Sequence, residues 1–302
     1  MSTRLPALSL AAVPGRRQRT LELAREIEAR GYAGIYCPSF GDSLALCTAL
    51  AQVTETIPFG TSITPIYYRQ AEDYAQTASF IHELAGGRFR FGLGVAHAPT
   101  LARRGVTAGR PLDDMREFVE RLRAVKGVGE LPPLVLAALR PRMIALAGAI
   151  GDGLVFANAA RSHLPQALAA LPAARRAAAD FFIGNMIPTC VDDELQAARA
   201  VNRKTLSSYA LLPNYRNYWR AAGYADDMDA VERCIAAGDM ERIGECLSDR
   251  WLDDVTIAGP PDRVREELAK WYAAGVTTPI LVPSSAHGGQ MQAFAELFAV
   301  FD

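Results

Sequence analysis

Short runs of apolar residues alternate along this chain with longer segments in which apolar positions recur every three or four residues. The short runs are typical of buried strands, and the wider spacing is typical of helices that bury one face. Leu21, Ala24 and Ile27 show the helical spacing in a segment that Gly31 ends. Because strand and helix patterns alternate, the chain favours a parallel sheet built from βα units.

Eight segments have the pattern of strands, and they cover residues 7–13, 34–38, 57–64, 88–95, 133–139, 153–158, 181–191 and 278–284. Helices are predicted over residues 20–31, 43–53, 71–85, 111–125, 142–151 and 261–275. Residues 192–255 hold two or three amphipathic helices and no clear strand. Eight strands joined by helices favour a closed barrel over an open doubly wound sheet. We therefore predict an α/β fold, a (β/α)8 TIM barrel in one domain over residues 1–302, with an extended helical segment between strands seven and eight.

Composition is that of a globular enzyme, with 302 residues of which 50% are hydrophobic and 22% charged. The formal net charge of −1 gives no bulk electrostatic reason to expect nucleic acid or an anionic membrane as partner. Apolar runs stop well short of the roughly 20 residues that a membrane span needs. The short apolar stretch near the N-terminus is expected to be the first strand rather than a secretory signal. These features predict a cytoplasmic protein.

Cysteine and histidine are sparse and scattered. The five cysteines are an odd number without CxxC or metal-like spacing, so we expect reduced, buried thiols. The four histidines form no HExxH or HxH cluster, and we expect no metal site.

The segment from Gly60 to Pro99 carries the most specific pattern in the chain, with GTSITPIYYR followed by AGGRFRFGLGVAHAP. It is expected to form a strand, a loop, a helix, a Gly-Gly turn and a second strand. Gly92 and Gly94 suit a strand that another backbone or a ligand approaches closely. Barrel enzymes present their chemistry at the C-terminal ends of strands, and His97 follows such an end.

These motifs resemble the third and fourth strands of the bacterial-luciferase-like superfamily of flavin- and deazaflavin-dependent oxidoreductases. The superfamily signature reads GT-x-[IV]-x-P-x-Y-x-R and then SGGR-[FV]-x-[LF]-G-[LV]-G, and here only its Ser has become Ala85. The resemblance covers most of residues 7–191 and the tail 253–283. It implies a TIM barrel that uses a flavin-type ring.

GTSITPIYYR and VAHAP look most like the branch of that superfamily that uses coenzyme F-420, a deazaflavin. The resemblance therefore implies hydride transfer to or from a small organic substrate. An FMN-dependent monooxygenase that uses molecular oxygen is one alternative, and a non-catalytic barrel that only binds a ligand or partner is another. Family members commonly pair through helices, which implies a homodimer, and the helix containing SFIHELAGG is a candidate face.

The resemblance places the cofactor ring against Ser62, Ile63 and Thr64. Members of the deazaflavin branch have a non-proline cis peptide bond there, which corresponds to Ser62–Ile63, and an ordinary trans strand end is the alternative. Ala138 lies after strand five and is implied to contact the same cofactor.

The cofactor phosphate is implied to lie beside Arg140, Asn158 and Arg161. Arg140 replaces a glycine of the family's AALGPRM pattern, and it could supply a fixed positive fork or crowd the site. Asn158 and Arg161 follow strand six, next to a helix start that favours anions. Surface salt bridges are the alternative for the two arginines.

His97 is the candidate catalytic residue, because an imidazole can donate or accept a proton near neutral pH. A structural hydrogen bond is the alternative. Phe40, Asp42 and Tyr67 are candidate substrate residues. Ser39 and Phe40 stand where many deazaflavin-dependent relatives have an Asp-His pair, so a mechanism that needs that His does not carry over. Asp42 could instead cap the following helix, and Tyr67 could only pack its loop.

Overall fold

The structure is a computed structural model that describes residues 5–302, and all eight predicted barrel strands are present. They are β1 (Ala7–Ser9), β2 (Ile35–Cys37), β3 (Phe59–Thr61), β5 (Phe89–Gly94), β6 (Leu134–Ala137), β7 (Gly153–Ala157), β8 (Phe182–Val191) and β10 (Thr278–Ser284). Two short strands add to these eight, β4 (Thr64–Pro65) and β9 (Ile257–Gly259).

The strands form one sheet in the order β10-β1-β2-β3-β5-β6-β7-β8-β9, and β8 also pairs with β10. The eight predicted strands therefore close into a parallel barrel, which confirms the predicted TIM-barrel fold. The register pairs Ile35 with Phe59 and Phe59 with Phe89. These side chains are fully buried, so the register keeps the apolar positions of neighbouring strands in the core.

The helices between the strands follow the apolar periodicity of the sequence. They are α1 (Arg17–Ala29), α2 (Ser43–Val53), α3 (Ala71–Leu84), α4 (Ala98–Ala102), α5 (Pro111–Ala124), α6 (Pro141–Ile150), α7 (Leu164–Leu168) and α8 (Ala173–Ala177). The region predicted to be helical holds α9 (Leu195–Ala210), α10 (Pro213–Ala221), α11 (Ala225–Ala237), a 3-10 helix (Met240–Cys246) and α12 (Asp249–Val255). The chain ends with α13 (Pro261–Ala273) and α14 (Gln290–Phe301). No helix among residues 5–302 is long and apolar enough to cross a bilayer.

Most predicted strands are slightly longer than those in the structure, and two of them differ more strongly. The first was predicted over 7–13 but ends at Ser9, after which the chain leaves the sheet as a loop. The third was predicted as one strand over 57–64. The structure breaks it into β3 and β4 at Ser62 and Ile63, where the regular pairing with β5 is interrupted. β9 is too short for an apolar pattern to indicate it, and it exists because it pairs with the end of β8.

The chain divides into two compact units. The first comprises the chain up to Phe156 together with Leu168–Gly184, and the second comprises Ala157–Ala167 and Asn185–Asp302. The first unit contains β1 to β6 with α1 to α6, and the second contains β9, β10 and α9 to α14. Organisation as a single domain over residues 1–302 stays a prediction.

Within the first unit, β3 and β5 approach so closely that side chains do not fit between them. A Cβ built on Gly92 would overlap the carbonyl oxygen of Thr61, and one on Gly60 would overlap the carbonyl oxygen of Arg90. The Thr61 hydroxyl donates to the Gly92 oxygen at 2.8 Å and accepts from the Gly92 N–H at 3.0 Å. The glycine of the FGLG motif is therefore required by a neighbouring backbone, one of the two reasons expected for it.

Arg88, the arginine of the Gly-Gly-Arg motif, fastens the N-terminal end of β5. Its guanidinium donates to the carbonyl oxygens of Thr54 and Ile57, at 2.9 and 3.0 Å. Gly86 and Gly87 precede it with φ values of 57° and 84°, a left-handed conformation that turns the chain from α3 into β5. The motif therefore fixes one turn and one strand of the barrel.

Replacing Thr61 with Val should lower the free energy of unfolding by about 1–3 kcal/mol, because the buried Gly92 N–H and C=O both lose their partner. Chemical denaturation of the purified protein would measure this change. Thr77→Val is the matched control, since the Thr77 hydroxyl bonds only within its own helix at an exposed site, and it should change stability by less than about 0.5 kcal/mol. Equal stability of Thr61→Val and the wild type would show that this hydrogen-bonded contact is unimportant.

Candidate active site

The ends of β3 and β5 place the expected ring-binding residues on the first unit. The Ser62–Ile63 peptide bond is cis, as the resemblance implies, and not the trans alternative. The Ser62 N–H donates to the Cys37 carbonyl at 2.7 Å. The Ser62 hydroxyl oxygen is buried, yet it has no hydrogen-bond partner among residues 5–302. A buried hydroxyl in that condition is suited to a hydrogen bond with a ligand.

Ile63 occupies the space that the absent side chain of Gly94 leaves. A Cβ built on Gly94 would lie 2.5 Å from Ile63 Cδ1 and 3.2 Å from the Ala137 methyl group. Gly94 therefore accommodates a side chain of this same protein, and Ile63 provides an apolar surface at the strand ends.

Thr64 and Ala138 use their polar groups within the protein. The hydroxyl groups of Thr64 and Ser43 lie 3.3 Å apart, and both side chains are buried. The Ala138 N–H donates to the Val155 carbonyl at 3.0 Å. These groups are already satisfied, so Ala138 can contact a ligand through its methyl or carbonyl group but not through its N–H. Their roles in cofactor binding stay predictions.

His97 lies immediately before α4, as its N-terminal flanking residue. The preceding residue, Ala96, has φ of 56°, an uncommon conformation for a residue with a Cβ. Such backbone outliers cluster at functional sites and here set the direction of the chain that carries His97. Burial lowers the pKa of His97 below its usual value. The imidazole is therefore mainly neutral at pH 7.

Arg140 flanks the N-terminus of α6, which Pro141 begins. Its side chain is exposed, and no hydrogen bond or ion pair of its guanidinium occurs within residues 5–302. The N-terminus of a ten-residue helix favours an anion, and Arg140 adds a full positive charge there. The position therefore suits a phosphate group.

Arg161, in the second unit, is differently placed, because its guanidinium forms a hydrogen-bonded ion pair with Glu267. Burial acts to raise the pKa of Glu267, but hydrogen bonds from Lys270 and Arg161 outweigh it and hold the pKa below its usual value. The Glu267 side chain is only 6% exposed. Arg161 thus forms a salt bridge, as the alternative for it expected, but a buried one and not one at the surface. A role in binding phosphate stays a prediction.

The helix start beside Arg161 already holds a carboxylate of the same unit. Asp254 accepts from the Ser162 N–H at 2.9 Å, from its hydroxyl at 2.6 Å and from the Tyr224 hydroxyl at 2.8 Å. The helix start that was expected to bind a phosphate therefore already binds a buried carboxylate of the protein itself.

Asn158 is buried in the second unit and has φ of 55°. Its carbonyl accepts from the Trp219 indole N–H at 3.1 Å, and the neighbouring Ala160 N–H donates to the Tyr218 hydroxyl at 3.1 Å. Burial raises the pKa of Tyr209, and a hydrogen bond with the Asn158 side chain acts in the opposite direction. Aromatic side chains of the helical segment therefore fix the chain that follows β7.

Asp42 caps α2, the alternative considered for it. Its carboxylate accepts from the N–H groups of Leu44 and Ala45, both at 3.1 Å, and pairs with Arg69 at 2.8 Å. Phe40 is 72% exposed, an unusual position for a large apolar side chain.

Phe40 and Asp42 line a cavity of about 650 Å³ in the first unit, at the ends of β1 and β2. Its other lining residues are mainly apolar: Ala11, Ala12, Val13, Pro14, Arg17, Leu21, Gly41, Ala45, Leu46 and Ala49. The volume is in the range of ordinary small-molecule sites. Tyr67 is not among the residues that line it.

Tyr67 instead donates its hydroxyl hydrogen to Asp114 at 2.5 Å. Asp114 also accepts from the Gly109 N–H at 2.9 Å. Burial and the bond to Asp114 raise the pKa of Tyr67, so it is a phenol at neutral pH. Packing of its loop, the alternative considered for Tyr67, is therefore present, and contact with substrate stays a prediction.

The family model described as luciferase-like monooxygenase matches residues 2–278. The chain belongs to this family. A putative coenzyme F-420-dependent oxidoreductase of Mycobacterium tuberculosis is 27% identical over 282 residues, which cover 77% of this chain and 81% of the relative. A 5,10-methylenetetrahydromethanopterin reductase of Archaeoglobus fulgidus is 28% identical over 266 residues, which cover 77% of this chain and 79% of the relative.

Among solved structures, the luciferase-like chain is similar to a coenzyme F-420-dependent tetrahydromethanopterin reductase of Methanopyrus kandleri. The TM-score is 0.76, and the match covers 97% of each chain at 15% sequence identity. At that identity the similarity supports the shared barrel fold and nothing finer.

Sequence reasoning missed three acids. Asp114 accepts a hydrogen bond from Tyr67, Asp254 accepts from Ser162 in the turn after β7, and Glu267 pairs with Arg161. Glu267 is 106 positions from Arg161, and Asp254 is 92 positions from Ser162. No local pattern connects residues so distant. The one available signal was chemical, since arginine beside a predicted strand end requires a partner if it is buried.

Replacing Asp42 with Ala should lower the free energy of unfolding by about 1 kcal/mol, because two N–H groups at the start of α2 lose their acceptor. Asp42→Ser is the matched variant, since serine keeps a capping oxygen and should restore most of that stability. Denaturant titrations of both variants would measure the difference. An Asp42→Ala protein as stable as the wild type would contradict the capping role.

An unchanged KM in Asp42→Ser would show that the carboxylate does not bind substrate.

Proposed function

We propose that this protein is an oxidoreductase that uses coenzyme F-420 to transfer hydride to or from a small organic substrate. The observation that carries the proposal is the family match over residues 2–278. Relatives named for coenzyme F-420 chemistry support the choice of cofactor. An FMN-dependent monooxygenase is the second candidate, because the matching family is described as monooxygenases.

The residues at the ends of β3 and β5 fit a flat ring with polar edges. Ile63 offers an apolar surface, and the Ser62 hydroxyl is a buried polar atom in need of a partner. We assign Ser62, Ile63, Thr64 and Ala138 to the ring. When bound, coenzyme F-420 supplies a deazaflavin that accepts or donates a hydride.

We assign the cofactor phosphate first to Arg140. Its side chain is exposed and stands at the start of α6, where the helix dipole also favours negative charge. Asn158 and Arg161 are proposed as further contacts. Arg161 already has a buried carboxylate partner in Glu267, so its contribution to phosphate affinity should be smaller than that of Arg140.

His97 is proposed to carry the proton that accompanies the hydride. Burial keeps its imidazole neutral at pH 7, so a ring nitrogen can accept a proton from a substrate that is being oxidised. In the reverse direction the resulting imidazolium returns the proton. Which of the two nitrogens acts depends on the hydrogen bond that the other makes.

The substrate is proposed to be small and largely apolar. Phe40 and Asp42 line the cavity in the first unit, and most of its wall is alanine, leucine, valine and proline. The Asp42 carboxylate could hold a polar group only in addition to capping α2. Tyr67 is proposed as a further contact through its ring, because its hydroxyl is committed to Asp114.

Fluorescence titration of the purified protein with coenzyme F-420 and with FMN is expected to show binding of the former. Arg140→Ala should weaken that binding by about 10- to 150-fold, the effect of losing a hydrogen bond worth roughly 1.5–3 kcal/mol to a charged group. Arg110→Ala is the matched control, since Arg110 also flanks a helix that begins with proline and is also exposed, yet pairs with Asp113.

Tighter binding of FMN would favour the monooxygenase, and binding of neither cofactor would favour a non-catalytic barrel. Normal affinity in Arg140→Ala would remove this residue from the phosphate site.

Replacing His97 with Ala should slow turnover by about 10²- to 10⁴-fold and leave cofactor affinity nearly unchanged, because the residue moves a proton. In the wild type, oxidation of substrate should fall as pH drops through the lowered pKa of His97, below 6.5, since the protonated ring cannot accept a proton. His97→Ala should lose this acid limb. His287→Ala, at an exposed histidine, is the control and should keep both rate and profile. Full turnover in His97→Ala would exclude the assigned role.

We also propose a homodimer, which the resemblance implies, and a cytoplasmic location, which the cysteine content and the short apolar runs of the sequence predict. Phe80 and Leu84 support the dimer, because these apolar side chains on α3 are 58% and 37% exposed and lie one helical turn apart. Light scattering should give twice the chain mass, and Phe80→Glu should give a monomer. Leu211→Glu, at another exposed apolar site, should leave the dimer intact. A monomeric wild-type protein at micromolar concentration would contradict the proposal.

A further inference from the structure

Two cysteines that are distant from any CxxC pattern meet in the second unit. Cys234 lies in the last turns of α11, and Cys246 ends the 3-10 helix that follows. Their sulfur atoms are 3.3 Å apart. The remaining cysteines, Cys37, Cys47 and Cys190, are completely buried, whereas this pair is only half-buried. The expectation of five buried thiols is therefore wrong for these two.

The approach of the two sulfurs is set by the turn between the helices. Gly238 has φ of 75° and ends α11 in a left-handed conformation, which reverses the chain and returns Cys246 to Cys234. The Cys246 thiol donates to the Arg242 carbonyl at 3.6 Å within its own helix. The turn therefore brings the two thiols into direct contact.

Polar contacts hold the C-terminal side of this turn. Arg203 donates to the Leu247 carbonyl at 3.2 Å and pairs with Asp249 at 2.5 Å. The Ser248 N–H donates to Asp227 at 2.6 Å, which ties the end of the turn back to the start of α11. The segment that carries Cys246 is thus fastened on the same helix that carries Cys234.

We propose that Cys234 and Cys246 form an oxidative modification site, at which a peroxide converts the pair into an intramolecular disulfide. A disulfide requires sulfur atoms about 2.05 Å apart, and side-chain rotation can close the remaining separation. Because the two thiols are only half-buried, a small peroxide can reach the sulfur atoms. This site is independent of the proposed cofactor chemistry.

The reaction balances with the peroxide as oxidant. One thiolate attacks a peroxide oxygen, the O–O bond breaks, hydroxide leaves, and the sulfur becomes a sulfenic acid after losing two electrons. The second sulfur then attacks it, the S–O bond breaks, and a disulfide forms. In total two thiols and one hydrogen peroxide give one disulfide and two waters.

Burial and the hydrogen bond with Cys234 raise the pKa of Cys246 to about 11. Because the thiolate is the reactive form, the pair should react more slowly than an activated redox sensor and should be oxidised by sustained rather than brief exposure to peroxide. The product closes the turn covalently between α11 and the segment that precedes α12.

Tryptic digestion without reductant tests the proposal directly, because cleavage after Arg233, Arg242 and Arg250 separates the two cysteines. Reduced protein should yield peptides 234–242 and 243–250 as separate species. After hydrogen peroxide treatment in mildly alkaline buffer, the whole protein should lose the mass of two hydrogen atoms. The two peptides should then appear joined, and dithiothreitol should separate them again.

Cys234→Ser and Cys246→Ser should each abolish the joined peptide, whereas Cys190→Ala, at a buried cysteine outside the pair, should keep it. Two results would overturn the proposal. They are peptides that stay separate in the peroxide-treated wild type, and sulfinic acid on either cysteine in place of the cross-link.

Discussion

The hydrogen-bonded contact between Thr61 and Gly92 is the constraint on which the candidate site depends. It brings β3 and β5 closer than a side chain at position 92 would allow, and one hydroxyl satisfies both polar groups of the glycine. Ser62 follows Thr61 directly, so its buried hydroxyl is positioned by this contact. β5 continues from Gly92 towards His97. A single interstrand contact therefore positions the segment that carries Ser62 and the strand that leads to His97.

The second unit follows a different principle, in which internal carboxylates occupy positions that an external anion was expected to fill. Asp254 caps the turn after β7, and Glu267 neutralises Arg161. Buried charges persist only with partners, so these acids and their donors depend on one another. Positive charge that is still available to a ligand is found instead at Arg140, on the first unit. The proposed phosphate contacts are therefore unequal, although the sequence presents two similar arginines.

Sequence patterns predicted the barrel well, because apolar periodicity and Gly-Gly turns are local signals. The existence of the eight strands and the helical region over 192–255 agree with the structure. The cis bond after β3 came from the family resemblance and not from a pattern, with a trans bond as the alternative. The partners of side chains could not be predicted in this way. Glu267 reaches Arg161, and Cys246 reaches Cys234, only because the fold brings separate segments together. Even the short break between β3 and β4 needed three-dimensional information, since residues on both sides of it have the composition of one strand.

The motif residue Arg88 has a structural role. Its guanidinium donates hydrogen bonds to the carbonyl oxygens of Thr54 and Ile57, and Gly92 is hydrogen-bonded to Thr61. Arg88 and Gly92, two residues of the GGRFRFGLG motif, are thus engaged by the neighbouring backbone and by Thr61, and they hold the barrel together rather than bind a substrate. In another sequence, the same motif would therefore indicate the barrel fold. The residues at positions such as His97 and Arg140 would be needed to infer its chemistry.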